Sequence, residues 1–408
     1  MTIMMVLMTA CSSEDDALTT GMNKSVSANA NTGAKTVLIY MAGRNNLSNA
    51  LMDDLREVKA GSRNLRDNEN LIVFVRNNDD KTPWVARIKN GAVTDSVSLD
   101  DLGIRSSDGQ NRASDPEVME GVMHYAYSHY PATCGNYGLV IEGHGSGWLM
   151  EQEVKRASSR AAAIDVADGE RFCDGRWINV PTMASILKRM PHLKFIMTDC
   201  CNMMCLETLY ELRSVCDYMI GSPAEIPDQG APYDQILTDM FAEGHFYSGI
   251  ISKYGNATKG WLPLTAVKTS EMENVARATR TALRAIKEKS GNGYPDMKGI
   301  IHYYHLDSDN TFHPEYNIFY DAGDYLRTFA PADAYQQWNQ ALGRAIVDQR
   351  KSVRWATDKR WNEKYADFTA TEEKMHGVSM FVPQDPSRGN YAQFNEDIKK
   401  MAWYAATN

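Results

Sequence analysis

The sequence predicts an α/β fold in three layers, a mostly parallel central sheet with helices on both faces, followed by a C-terminal extension. Three observations lead there. Short, nearly continuous apolar runs recur along the first 270 positions, among them Thr36-Val37-Leu38-Ile39-Tyr40-Met41-Ala42 and Asn70-Leu71-Ile72-Val73-Phe74-Val75, and strands buried on both faces read this way. Segments with helical spacing of apolar residues lie between them, and that alternation marks a sheet covered by helices. Hydrophobic residues make up 43% of the 408 positions, enough for a large core. The net charge of −9 argues against nucleic acid as the main partner. No run of 18 apolar residues is present, so no membrane-spanning helix is expected.

Taken in order, the chain starts with Met1-Thr2-Ile3-Met4-Met5-Val6-Leu7-Met8-Thr9-Ala10-Cys11. This apolar stretch resembles a bacterial lipoprotein signal cut before Cys11, whose thiol would then carry lipid and anchor the protein to a membrane. The basic residues that open such signals are missing ahead of it. The acidic run after Cys11, Ser12-Ser13-Glu14-Asp15-Asp16, resembles the surface-export signal of Bacteroidetes lipoproteins. Residues 17 to 35 are small and polar and read as a tether, so 1–35 is assigned as signal and tether.

The first strand, Thr36–Ala42, is followed by a helix from Asn45 to Ala60 with Leu47, Leu51, Leu55 and Val58 on one face. The second strand, Asn70–Val75, precedes a hairpin of Val85–Ile88 and Val93–Val97 around Asn90-Gly91. A helix runs from Asp115 to Tyr130 with Pro116 at its start. Tyr137–Glu142 is a strand ending in Gly143-His144-Gly145-Ser146-Gly147-Trp148. A long polar connection and a helix near Thr182–Arg189 lead to the strand Lys194–Thr198, which runs into Asp199-Cys200-Cys201-Asn202 and then a helical pattern over 203–212. Tyr218–Ser222 is one more strand. Helices are expected at 271–290, 320–329 and 332–350, and a strand over 377–383 returning to the core. The main α/β domain is assigned to 36–270 and a helical region to 271–408.

A histidine and a cysteine thus stand at the carboxyl ends of two buried strands, where open α/β sheets place their chemistry. That pair can make a thiolate nucleophile and its base. A thiol ionises more readily beside a histidine or at a helix N-terminus, and Cys201 is expected to have both. Gly145 follows His144 without a side chain, so its N–H and that of Cys201 can serve as the two donors of an oxyanion hole. The loop fails the spacing of a phosphate-binding loop. Cys200, Cys201, Cys205 and Cys216 crowd together, but without the paired spacing of a zinc site, and no metal is assigned. The remaining cysteines, Cys134 and Cys173, are far apart.

The strand with His-Gly-Ser-Gly-Trp and the strand with Asp-x-Cys-x-Met resemble those of the clostripain family of cysteine peptidases, caspase-like proteins related to gingipains, legumains and separase. Tyr40-Met41-Ala42-Gly43 and Gly377-Val378-Ser379-Met380-Phe381-Val382-Pro383 extend the likeness. The resemblance implies a caspase-like sandwich, a dyad of His144 and Cys201, and no cofactor. Some members of that family depend on calcium, and this sequence contains no EF-hand loop. Cys200 replaces the family's small alanine, and Gly43-Arg44-Asn45-Asn46-Leu47 departs from the family's acidic stretch there. The resemblance also implies cleavage of protein or peptide substrates after Arg or Lys, with Asp199 and Asp228 in the pocket. Asp199 could instead cap the following helix, and Asp228 could be an ordinary loop residue. Self-cleavage downstream of the histidine would fall at Arg156 or Arg160. Two other classes fit the same residues: an inactive peptide-binding lipoprotein, and a thiol-dependent amidase or transferase.

Overall fold

A computed structural model describes residues 35–133, 135–150, 162–165, 175–291, 293–303, 317–355 and 368–408. Cys11 and the tether, Cys134, Cys173, Arg156 and Arg160 lie outside them.

The apolar run after Lys35 forms β1 (Lys35–Ala42). Val37, Ile39 and Met41 enter one core, while Leu38, Tyr40 and Ala42 enter the other. A strand buried on both faces needs apolar residues at every position, which is why the run is continuous. α1 (Ser48–Gly61) buries Leu51, Leu55 and Val58. β2 (Glu69–Arg76) lies parallel to β1. Asn90 and Gly91, at φ 51° and 83°, turn β3 (Trp84–Lys89) into β4 (Ala92–Ser98), as an Asn-Gly hairpin requires. A single turn α2 (Leu99–Leu102) and α3 (Pro116–His129) lead to β5 (Tyr137–Gly143). The polar connection holds an unanticipated hairpin of β6 (Ala162–Asp165) and β7 (Arg176–Ile178). Next come α4 (Val180–Leu187), β8 (Leu193–Asp199), α5 (Leu206–Glu211), β9 (Cys216–Gly221), α6 (Tyr233–Met240), α7 (Phe246–Ala257) and β10 (Leu264–Lys268). The last third contributes α8 (Met272–Ser290), β11 (Tyr320–Asp321), α9 (Ala322–Phe329), α10 (Ala332–Ala345), β12 (Ile346–Arg350), β13 (Ser379–Met380), α11 (Tyr391–Asp397) and α12 (Ala402–Thr407).

Nine strands make one sheet, in the order β12-β10-β9-β8-β5-β1-β2-β3-β4. One core layer carries α1, α6 and α7, and the other carries α3, α4, α5, α8 and α10. The expected mostly parallel sheet is corrected to a mixed one. The five central strands are parallel, but the strands on both flanks pair antiparallel. A two-residue turn can join only antiparallel strands, which fixes β3 and β4. Between β9 and β10 two helices replace the usual one, so the chain re-enters the sheet reversed. The helix expected over 332–350 stops at Ala345. Its last residues, which include β-branched Ile346 and Val347, pair with the edge of β10 instead. The stretch 377–383 supplies β13, which pairs with β11 in a separate small sheet. Ser379 donates its N–H to the Met204 carbonyl at 3.0 Å, which fastens this stretch beside the loop that follows β8. Among the described residues no helix is long and apolar enough to cross a membrane.

Candidate active site

β5 and β8 are parallel neighbours, and their register sets Glu142 opposite Asp199. Two residues further along the chain from each, past the strand ends, come His144 and Cys201. The loops carrying them touch through Gly145. A Cβ at position 145 would lie 2.6 Å from the Cys200 Cβ, 2.8 Å from the Cys201 carbonyl oxygen and 3.2 Å from the Cys201 nitrogen. Only glycine permits that approach, and it brings the backbones of Gly145 and Cys201 side by side, as a two-donor oxyanion hole needs.

The two adjacent thiols differ. Cys200 is buried in the core with α3 and α4, and its Sγ donates to the Ile141 carbonyl at 3.3 Å. Cys201 is partly exposed. Its Sγ accepts the Ile226 N–H at 3.3 Å and lies 3.9 Å from the Ile226 carbonyl. Burial, with Glu225 adding to it, pushes the Cys201 thiol up to about 12. The sequence pointed the other way, towards a thiol made acidic by a helix N-terminus. α5 does not start until Leu206 and its N-cap is Cys205, so the helix end is displaced from Cys201, while the 225–226 backbone lies over the sulfur. Cys205 pairs with the Thr208 hydroxyl at 3.1 Å, and Cys216 donates to the Leu212 carbonyl at 3.8 Å. These four thiols therefore sit in separate polar environments. In the uncut chain, alkylation of Cys201 by iodoacetamide is expected to keep rising past about pH 10, where an ordinary thiol has levelled off, because only the thiolate reacts. Site-resolved mass spectrometry across a pH series measures this, and a plateau at or below about pH 10 would contradict the covered state.

His144 Nε2 lies 2.7 Å from Asn46 Oδ1. An amide oxygen accepts, so this contact favours the tautomer protonated at Nε2. The Trp177 ring stands at 6.3 Å, tilted by 53°. Asn46 is an exposed residue of the loop after β1; the sequence placed it in the first turn of the helix expected from Asn45, but that helix starts at Ser48.

The carboxylates divide sharply. Asp199 is buried and accepts from the Ala231 N–H at 2.8 Å, the Tyr233 hydroxyl at 3.1 Å and the Tyr254 hydroxyl at 2.6 Å. It therefore ties β8 to α6, α7 and the loop before α6, and does not cap α5. Asp228 is exposed, with the Gln229 side-chain amide as its partner. Two acids that the sequence reading passed over lie beside Asp199. Asp54 of α1 and Glu142 of β5 are buried at 3% and 2% exposure and face each other. Burial raises both, Asp54 to about 8 with Asp199 and Glu57 adding to the effect, and Glu142 well above the usual carboxylate range. Gly230, at φ +58°, closes over them: its Cβ position would lie 3.0 Å from both Asp199 Oδ2 and Asp54 Oδ2. A signal was present, since Asp54 falls on the Leu51–Leu55–Val58 stripe and Glu142 ends an otherwise apolar strand.

The described family whose members match this chain is the clostripain family, over residues 39–408. Clostripain of Hathewaya histolytica is 23% identical over 232 residues, covering 51% of this chain and 42% of that protein. This chain thus spans less than half the length of that curated relative. A secreted C11 cysteine protease from Bacteroides thetaiotaomicron, solved with an irreversible peptide inhibitor, matches 92% of this chain and 99% of its own at TM-score 0.72 and 25% identity. An inactive zymogen C11 protease from Parabacteroides distasonis matches 92% and 98%, also at TM-score 0.72 and 25% identity.

Proposed function

The chain belongs to the clostripain family, and from that premise we propose that it is a cysteine endopeptidase that cleaves after Arg or Lys and cuts itself to become active. The observation that carries this is the seating of Gly145 on the Cys201 backbone, which brings the His144 loop against the nucleophile at the ends of β5 and β8. Cys201 attacks the scissile carbonyl as thiolate, and His144 takes its proton and passes it to the leaving amine. The N–H groups of Gly145 and Cys201 hold the oxyanion. The resulting thioester is hydrolysed by water. Asp199, two residues before Cys201, contributes negative charge to the pocket, and a buried carboxylate favours a guanidinium or ammonium guest. Asp228 would join from the rim. The covered thiol, high in pKa beneath Ile226, suits a precursor. Self-cleavage is assigned to Arg156 or Arg160, each followed by alanine in a polar segment of the kind proteases nick. Relatives described as secreted support an extracytoplasmic location, to which a lipid on Cys11 would add a membrane anchor.

The test compares wild type with Cys201→Ala on a positional peptide library, by denaturing gel and by N-terminal sequencing. Cleavage after Arg and Lys, and a new N-terminus at Ala157 or Ala161, are expected in wild type only. A fully active preparation that remains one intact chain would refute self-processing. Activity confined to small amides, or transfer to thiols, would favour an amidase or transferase.

A further inference from the structure

Asp199 is poorly placed to be the sole counter-ion of a basic substrate. Its two oxygens already hold three protein donors, Ala231 N–H, Tyr233 O–H and Tyr254 O–H, and a carboxylate offers only about four lone pairs. Glu142 is the opposite case. Neither of its oxygens receives a hydrogen bond from any N–H or O–H donor among the described residues, although the side chain is buried. Tyr233 stands near it, but its single hydroxyl proton goes to Asp199. The group facing Glu142 is another acid, Asp54. Buried polar groups left without donors are uncommon in folded proteins and call for an explanation. Here the position supplies one. Glu142 is two residues before His144 as Asp199 is two before Cys201, and their register pairing puts both on the α1 and α6 face of the sheet, directly below the dyad.

We propose that Glu142, with Asp54 beside it, is the acceptor at the floor of the pocket that receives the basic side chain preceding the cleaved bond. The inference rests on the reading that the chain cleaves after Arg or Lys. Asp199 holds the loop and supplies charge, while Glu142 has no protein donor but the proton it shares with Asp54, so a guanidinium that displaces that proton can bind both of its oxygens at once. Before substrate arrives, a proton held between Glu142 and Asp54 keeps the two acids together. It leaves to water as the cation enters, so the net charge of the buried site is conserved. The loop that hides the acids also hides the thiol, since Gly230 covers Asp54 and Asp199 while Ile226 covers Cys201. Displacing that one loop opens floor and nucleophile together.

Matched peptides with Arg or citrulline before the cleaved bond separate charge from shape, citrulline being an uncharged near-isostere. Their kcat/KM ratio is read on full-length wild type, Glu142→Gln and Asp54→Asn, with brief trypsin treatment and quenching standing in where self-cleavage fails. Because both substrates meet the same preparation, loss of active protein cancels in the ratio. Wild type is expected to prefer Arg by at least ~100-fold, and Glu142→Gln to lower that preference by at least ~10-fold. An unchanged preference in Glu142→Gln overturns the proposal. Should that variant not fold, Asp54→Asn decides: a reduced preference supports the pair and an unchanged one overturns it. Absence of any preference in wild type would instead refute the Arg and Lys reading itself, before a variant is made.

Discussion

Cys201→Ala is expected to reduce peptide cleavage by a factor on the order of 10⁴ or more, since removing the nucleophile removes the covalent route. Cys200→Ala is expected to leave cleavage largely intact and to lower stability by about 1 kcal/mol, the usual scale for a small core truncation. The contrast follows from where the adjacent side chains go. Cys200 points into the core and gives its S–H to the Ile141 carbonyl, whereas Cys201 emerges at the loop beside Gly145. Rates with a peptide amide and unfolding midpoints of both variants measure it. Full activity in Cys201→Ala together with loss in Cys200→Ala would reverse the assignment.

Asp199→Ala is expected to be among the most damaging single changes for stability, on the order of 3–5 kcal/mol, because it leaves a buried amide and two buried hydroxyls without an acceptor. Asp199→Asn keeps an acceptor oxygen and should cost less. The loss of charge should still weaken cleavage after Arg and Lys by about 1.5–3 kcal/mol, the range for a hydrogen bond to a charged group. Chemical denaturation and kcat/KM on Arg peptides test both parts. Unaltered kinetics in Asp199→Asn would remove this residue from recognition, while equal stability of the two variants would contradict the three-donor network.

The central strands were legible because burial on both faces forces uninterrupted apolar runs, and the Asn90-Gly91 turn was legible because few residue pairs adopt its backbone. The flanking strands were harder. β12 carries an apolar pattern that a helix would also satisfy, and only the open edge of β10 decides the matter. At the site, strand ends and glycine spacing pointed to His144, Gly145 and the adjacent thiols, and the family resemblance singled out Cys201 of the two. The covered thiol could not, because it depends on a contact with Ile226 some 25 positions away. Asp54 and Glu142 were written in the sequence as acids in apolar company, yet their meeting depends on α1 packing on the same face of the sheet as Val140 of β5, which no local pattern specifies.

The pairing of β5 with β8 has a consequence for the lifetime of the protein. Five register pairs, from Gly138–Phe195 to Glu142–Asp199, join these strands, while the segment proposed for self-cleavage lies between them in sequence. Once cut there, the chain becomes two polypeptides sharing one sheet. Folding of the precursor is a first-order event, but reassembly of the cut form is second-order and slows with dilution. Maturation would then exchange reversible stability for persistence governed by the rate of unfolding. A cut molecule that opens in a dilute exterior would seldom close again, so each molecule would have a single working life once activated.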